Sequence, residues 1–180
     1  MDVSDAQREV RRVYRGGSVG QSVSGLLWLA SATVATYGTP RAAIMLLVVG
    51  GVFIFPVMTL VLRLLGGPSK LSRENALNSL GLQVALVLPL CLPLVGGAAM
   101  YRLSWFYPAF MILLGAHYLP FVFLYGMPMF GVLAGLLIGL GVLLARAPSL
   151  SFAAPAWMTG VILLVFAAVG LFQVRRKERA

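Results

Sequence analysis

His117 is the one side chain inside the apolar runs of this chain whose charge changes near neutral pH. The polar residues placed to work with it are Asn75, Ser79, Gln83 and Tyr118. With Ser72, the first three of these fall within about 80° of one face of an α-helix at roughly 100° per residue. At about 1.5 Å per residue, Gln83 lies roughly 10 Å along its run and His117 roughly 12 Å from the end of the next, antiparallel one. The two therefore come to one depth. The chemistry they offer is hydrogen bonding along a polar path that His117 would gate or protonate, suited to a neutral or anionic solute whose identity the residues leave open. Against that stands a packed neutral imidazole bonded to a facing helix, since burial disfavours its charged form. Pro89 and Pro93, on either side of Cys91, remove backbone donors and predict a discontinuous helix at mid-run. The Cys91 thiol, in apolar surroundings, is expected to be inert.

Other chemistry has no residues to carry it. The five acidic residues, Asp2, Asp5, Glu9, Glu74 and Glu178, lie outside the apolar runs, which disfavours carboxylate-driven ion exchange. One His and one Cys without carboxylates make no metal site. No Ser–His–Asp grouping, phosphate-binding glycine loop or carboxylate pair is present either. The expectation is a protein that is not an enzyme and holds no metal and no cofactor.

The elements that would position these residues follow from composition. Of 180 residues, 60% are hydrophobic and 11% charged, far from the average of a soluble domain. Apolar stretches of about 20 residues match a hydrocarbon core roughly 30 Å thick. Six recur, over residues 21–37, 42–65, 76–100, 105–125, 127–145 and 153–173. A membrane β-barrel would instead show alternating segments of about ten residues. The predicted fold is all-α, a compact bundle of six transmembrane helices over residues 21–173. A basic N-terminal segment, residues 1–20, precedes it and a basic tail, residues 174–180, follows.

The net charge of +9 reads as topology rather than as a nucleic-acid footprint. Eleven basic residues flank alternate junctions: Arg8, Arg11, Arg12 and Arg15, then Arg63, Lys70 and Arg73, then Arg175, Arg176, Lys177 and Arg179. The other junctions carry only Arg41, Arg102 and Arg146. By the positive-inside rule both termini and the loop 66–74 are cytoplasmic. No nucleic-acid partner is expected, and membrane lipids are.

Smaller features complete the expectations. Residues 4–14 form a basic amphipathic helix with Ser4 and Gln7 as a capping box, lying on anionic lipid or standing as a solvated tail until Gly16 and Gly17 end it. Ser72 is the expected N-cap of the third span. Tyr107, Tyr118 and Tyr125 share a face, the outer two as anchors at the membrane interfaces. Gly131, Gly135 and Gly139 make a helix-packing surface, used within the protomer or between copies in a homo-oligomer.

The run Arg12, Val13, Tyr14, Arg15, Gly16, Gly17, with Val23 to Trp28, Gly50, Gly51, Phe55, Pro56 and Arg73, Glu74, Asn75, resembles a family of small uncharacterised bacterial membrane proteins over most of the chain. The resemblance implies a multi-pass protein of the bacterial plasma (inner) membrane and supplies no activity. In length and span number alone the chain is also similar to six-span acid-resistance membrane proteins. Two functions remain open on the sequence: a small channel or carrier lined by the third and fourth spans, and a structural or partner-binding membrane protein that transports nothing.

Overall fold

The apolar runs form helices, and the breaks fall where turn chemistry stands between them. The computed structural model describes residues 2–147 and 149–179, without the side chains of 177–179, so those of Lys177, Glu178 and Arg179 in the basic tail lie outside the described residues. The elements are α1 (Val3–Val13), a 3-10 turn (Arg15–Gly17), α2 (Ser18–Tyr37), α3 (Pro40–Leu64), α4 (Leu77–Tyr101), a 3-10 turn (Leu103–Trp105), α5 (Phe106–Tyr125), α6 (Met129–Ala145) and α7 (Ala154–Arg179). No strand occurs among the described residues. Four stretches, Pro40–Leu64, Leu77–Tyr101, Leu103–Tyr125 and Ala154–Arg176, are long and apolar enough to cross a membrane. That marks an all-helical membrane protein.

Packing runs through two tight pairs, α5 with α6 and α2 with α7; α3 lies on α2, α4 on α5, and α7 joins the pairs. The α5–α6 pair closes on glycine. A Cβ on Gly115 would stand 2.9 Å from the Ala134 carbonyl oxygen, and one on Gly141 3.0 Å from that of Pro108. The α2–α7 pair closes likewise on Gly25 and Gly160, each facing the other's carbonyl oxygen at 3.1 Å. Where the helices part, Trp28 fills the space against Tyr107 and Phe110. Ser31 there bonds the Tyr107 hydroxyl at 2.7 Å and donates to the Ala43 carbonyl at 2.9 Å, linking α2, α5 and α3.

Contacts sort the turns into two ends. At one end the turn Arg15–Gly17 lies on Gly170 and Val174 of α7. Arg15 reaches the Leu65 carbonyl there, and Gln7 the Phe123 carbonyl. At the other, Trp105 donates to the Ala145 carbonyl and Trp157 to the Thr36 hydroxyl. Helices α2 to α7 thus run alternately from end to end. The arginines of α1, the α3–α4 loop and the end of α7 gather at the first, which we call the α1 end.

Several expectations are corrected. Ser72 does not cap the third long helix: α4 starts at Leu77, and the Ser72 amide and hydroxyl turn to Glu9. Pro89 and Pro93 sit inside a continuous α4 rather than breaking it. Asp2, not Ser4, caps α1, and Gln7 is drawn away to α5. Tyr107, Tyr118 and Tyr125 are core residues at 0%, 4% and 6% exposure, so the outer two do not anchor an interface. The helix of the sixth apolar run continues through the tail to Arg179.

Candidate functional site

The residues expected to line a polar path come together only in part. Asn75 is buried ahead of α4 and belongs to the α1 end, where its amide donates to the Ala6 carbonyl at 3.2 Å and to Glu9 at 2.8 Å. Ser79 bonds back to the Ala76 carbonyl and is exposed, as is Gln83 two turns into the helix. His117 is half-buried on α5, approaches the Val84 backbone of α4, and has a buried Nδ1 without a partner among the described residues. Tyr118 beside it packs on Phe121 and Phe130. His117 and Tyr118 therefore share an aromatic cluster, while Ser79 and Gln83 face outward from α4.

The glycines of α6 divide similarly. Gly131 is the one that meets a neighbour, with Val122 at 3.5 Å from where its Cβ would be. Nothing stands within 4 Å of the same point on Gly135 or Gly139, and both are exposed.

The α1 end holds the better-formed site. Helix α1 is amphipathic, and the face formed by Ala6, Val10 and Val13 is buried against the bundle, so it is neither a solvated tail nor a helix free on the lipid surface. Polar residues fix its height. Gln7 donates to the Phe123 carbonyl at 2.6 Å, which also accepts from the Gly126 amide at 3.2 Å, and Arg11 donates to that of Tyr125 at 2.5 Å, at the end of α5 where carbonyls run out of helical partners. Glu9 accepts from the Ser72 amide at 2.7 Å, its hydroxyl at 3.0 Å and Asn75 at 2.8 Å. These bonds, the Ser72 amide foremost, hold its carboxyl below the usual carboxylate range. The close turn beneath needs glycine: Gly126 has φ +58°, and a Cβ there would stand 2.5 Å from Gln7 Oε1. The hinge into α2 turns on Gly16 and Gly17, at φ +65° and +78°.

Between α1 and the end of α7 lies a cavity of about 640 Å³, half open to the surface, with Arg8 and Arg12 exposed. Arg8, Arg11 and Arg12 line it from α1 and Gln173 from α7, with Met127 and Val174 as an apolar floor. Asp5 and Glu9 also border it; Asp5 pairs with Arg8, and Glu9 is engaged by Ser72 and Asn75. Arg11 is half-buried, and burial first, then the neighbouring Arg8 charge, pulls its pKa down. Crowded guanidiniums of this kind fit an anion. The tether of Gln7, Glu9 and Arg11 escapes sequence reasoning, because nothing in the spacing brings α1 to residues more than sixty positions away. The signal that was present is a lone Glu9 among four arginines.

Comparison with curated proteins finds no match, and comparison with solved structures finds none. Over residues 3–173, nearly the whole chain, the sequence matches a family model described as a family of unknown function, DUF7010. An uncharacterised family was the expectation from the residues quoted above, and the chain belongs to DUF7010.

Proposed function

We propose that the protein crosses a bacterial plasma membrane six times with both termini in the cytoplasm, and serves there as a non-catalytic, non-transporting binding module. Its basic α1 end engages anionic partners at the membrane surface. The observation that carries this reading is the arginine-lined cavity under a docked α1, at the end where the basic residues gather. A topological charge excess asks nothing of an arginine beyond its side of the membrane; here, beside the exposed Arg8 and Arg12, Arg11 is fixed to a backbone carbonyl and half-buried. The test is reconstitution of the full chain in vesicles with and without anionic lipid. Retention of an anionic ligand or lipid that salt removes, without solute flux, supports the reading; flux of a small solute above that of empty vesicles would sink it.

The second reading is a carrier or channel for a neutral or anionic solute lined by α4 and α5. The unpartnered Nδ1 of His117 favours it; the outward-facing Ser79 and Gln83 speak against it. Single cysteines at Ser79, Gln83, His117 and Tyr118, in a Cys91→Ala background, separate the two. Labelling by an impermeant thiol reagent at His117 and Tyr118 supports a wet path, and protection there with loop controls labelled supports the binding module.

A further inference from the structure

We infer that the cavity beneath α1 is a phosphate site, occupied by the headgroup of an anionic glycerophospholipid; this rests on the binding-module reading and names its ligand. Arg8, Arg11 and Arg12 stand three and four residues apart and so project from one side of α1. Asp5, paired with Arg8, and Glu9, which faces Arg12, offset two of these three charges, so the lining keeps one positive charge in excess. Arg12 has no side-chain hydrogen bond among the described residues, and Arg11 uses Nη1 on the Tyr125 carbonyl while its other donors have no bond among those residues. Planar guanidinium forks of this kind match the oxygens of a phosphate.

The rest of the wall distinguishes a lipid from a bare ion. About 640 Å³ is several times what a phosphate fills, and the remaining lining is one amide, Gln173, over the apolar side chains of Met127 and Val174. Gln173 suits an ester carbonyl or headgroup hydroxyl, and the apolar floor suits the glycerol and first methylenes of an acyl chain. The cavity also lies where α7 leaves the stretch that ends at Arg176, at the level of a lipid headgroup for a helix that crosses.

The experiment uses the full chain in detergent with defined lipids, counting retained adducts by native mass spectrometry. Wild-type protein is expected to retain phosphatidylglycerol over phosphatidylcholine. Arg8→Gln with Arg12→Gln should weaken that retention about tenfold, while Arg102→Gln with Arg146→Gln, the same charge loss at the far end, should change it less than twofold. If 10 mM inorganic phosphate displaces the adduct, the phosphate chemistry stands and the source is a soluble phosphate; if not, the source is the lipid. Equal weakening by the two double variants overturns the site. Loss confined to Arg175→Gln with Arg176→Gln overturns it too but leaves the binding-module reading standing, whereas wild-type protein with no preference for phosphatidylglycerol removes both. Phenylglyoxal modification of Arg12 in the wild-type chain needs no variant to fold: protection by phosphatidylglycerol supports the site, and unchanged reactivity overturns it.

Discussion

Single atoms decide which glycines of this protein matter. Gly115 and Gly141 admit helix backbones to within van der Waals range, and an added Cβ would press on a carbonyl oxygen at 2.9 or 3.0 Å that cannot swing aside. Gly115→Ala and Gly141→Ala are each expected to lower unfolding stability in detergent by about 1–3 kcal/mol, the usual cost of overpacking. Gly135→Ala meets empty space, so it should be neutral or gain up to about 1 kcal/mol from helix propensity. Equal losses at all three positions would contradict the α5–α6 interface. The four-residue spacing of Gly131, Gly135 and Gly139 made them the visible motif, yet α6 turns the last two away from its partner. Spacing records a stripe; it does not record which way the stripe faces. Gly126 is a different case, legible as a turn residue between two apolar runs but not as the seat of α1. Gly126→Ala adds the strain of a left-handed backbone, about 1–2 kcal/mol, and drives Gln7 from the Phe123 carbonyl. Faster hydrogen exchange in α1, with α2 unchanged, is the expected result.

At the scale of elements, the helices were readable because a bilayer-length apolar run between turn residues leaves the backbone little alternative. Thr39 and Pro40, for instance, cap and open α3 as such residues should. What sequence could not show was partnership: α1 has a buried face whose complement comes from α5 and the α3–α4 loop. Ser72 illustrates the difficulty, since its type suits an N-cap and its actual partner is a carboxylate 63 positions away. The loop is tied down by this one acid. Glu9→Gln keeps the shape but weakens charge-assisted bonds, and because solvent reaches this half-buried group the loss should be modest, about 1 kcal/mol. The sign with pH follows from its depressed carboxyl. The tether is at full strength above the ordinary carboxylate value of 4.5 and fails as pH falls through the lower folded value. Arg12 on α1 faces the same carboxylate. Asp2, which caps α1 at Ser4 and is also held low, acts in the same direction, so the contribution of Glu9 is the difference between wild type and Glu9→Gln. Protection of the amides of α1 and of residues 66–76, taken relative to the intrinsic exchange rate at each pH, should be lower near pH 4 than near pH 6 in the wild type. In Glu9→Gln it should be low already at pH 6 and change less. Identical pH responses would assign the tether elsewhere.

For the whole molecule, the question is whether α2 and α6 cross with the four longer stretches. Helix α2 has 20 residues, about 30 Å at 1.5 Å each, without a charge; its small and hydroxyl residues lower its hydropathy because much of its surface meets α3 and α7 rather than lipid. A helix sheltered by neighbours need not be as apolar as one in contact with lipid. Helix α6 has 17 residues, about 26 Å, so it fits a core of roughly 30 Å only if nearly upright or in a locally thinned bilayer. Both connect opposite ends of the bundle, which a surface or re-entrant segment would not do. The expected topology therefore alternates six times, with the termini and residues 68 and 126 on the cytoplasmic side and residues 38, 103 and 150 outside. Single cysteines at Pro68, Gly38 and Leu150, labelled in intact cells by an impermeant reagent, check it. Labelling at 38 and 150 with protection at 68 is the expected pattern. Protection at 38 and 150 with labelling at 68 would invert the protein and put the arginine cavity on the outer face. Protection at 38 with labelling at both 68 and 150 would mean that α2 and α6 do not cross, and the positive-inside reading of the eleven clustered basic residues would lose its premise.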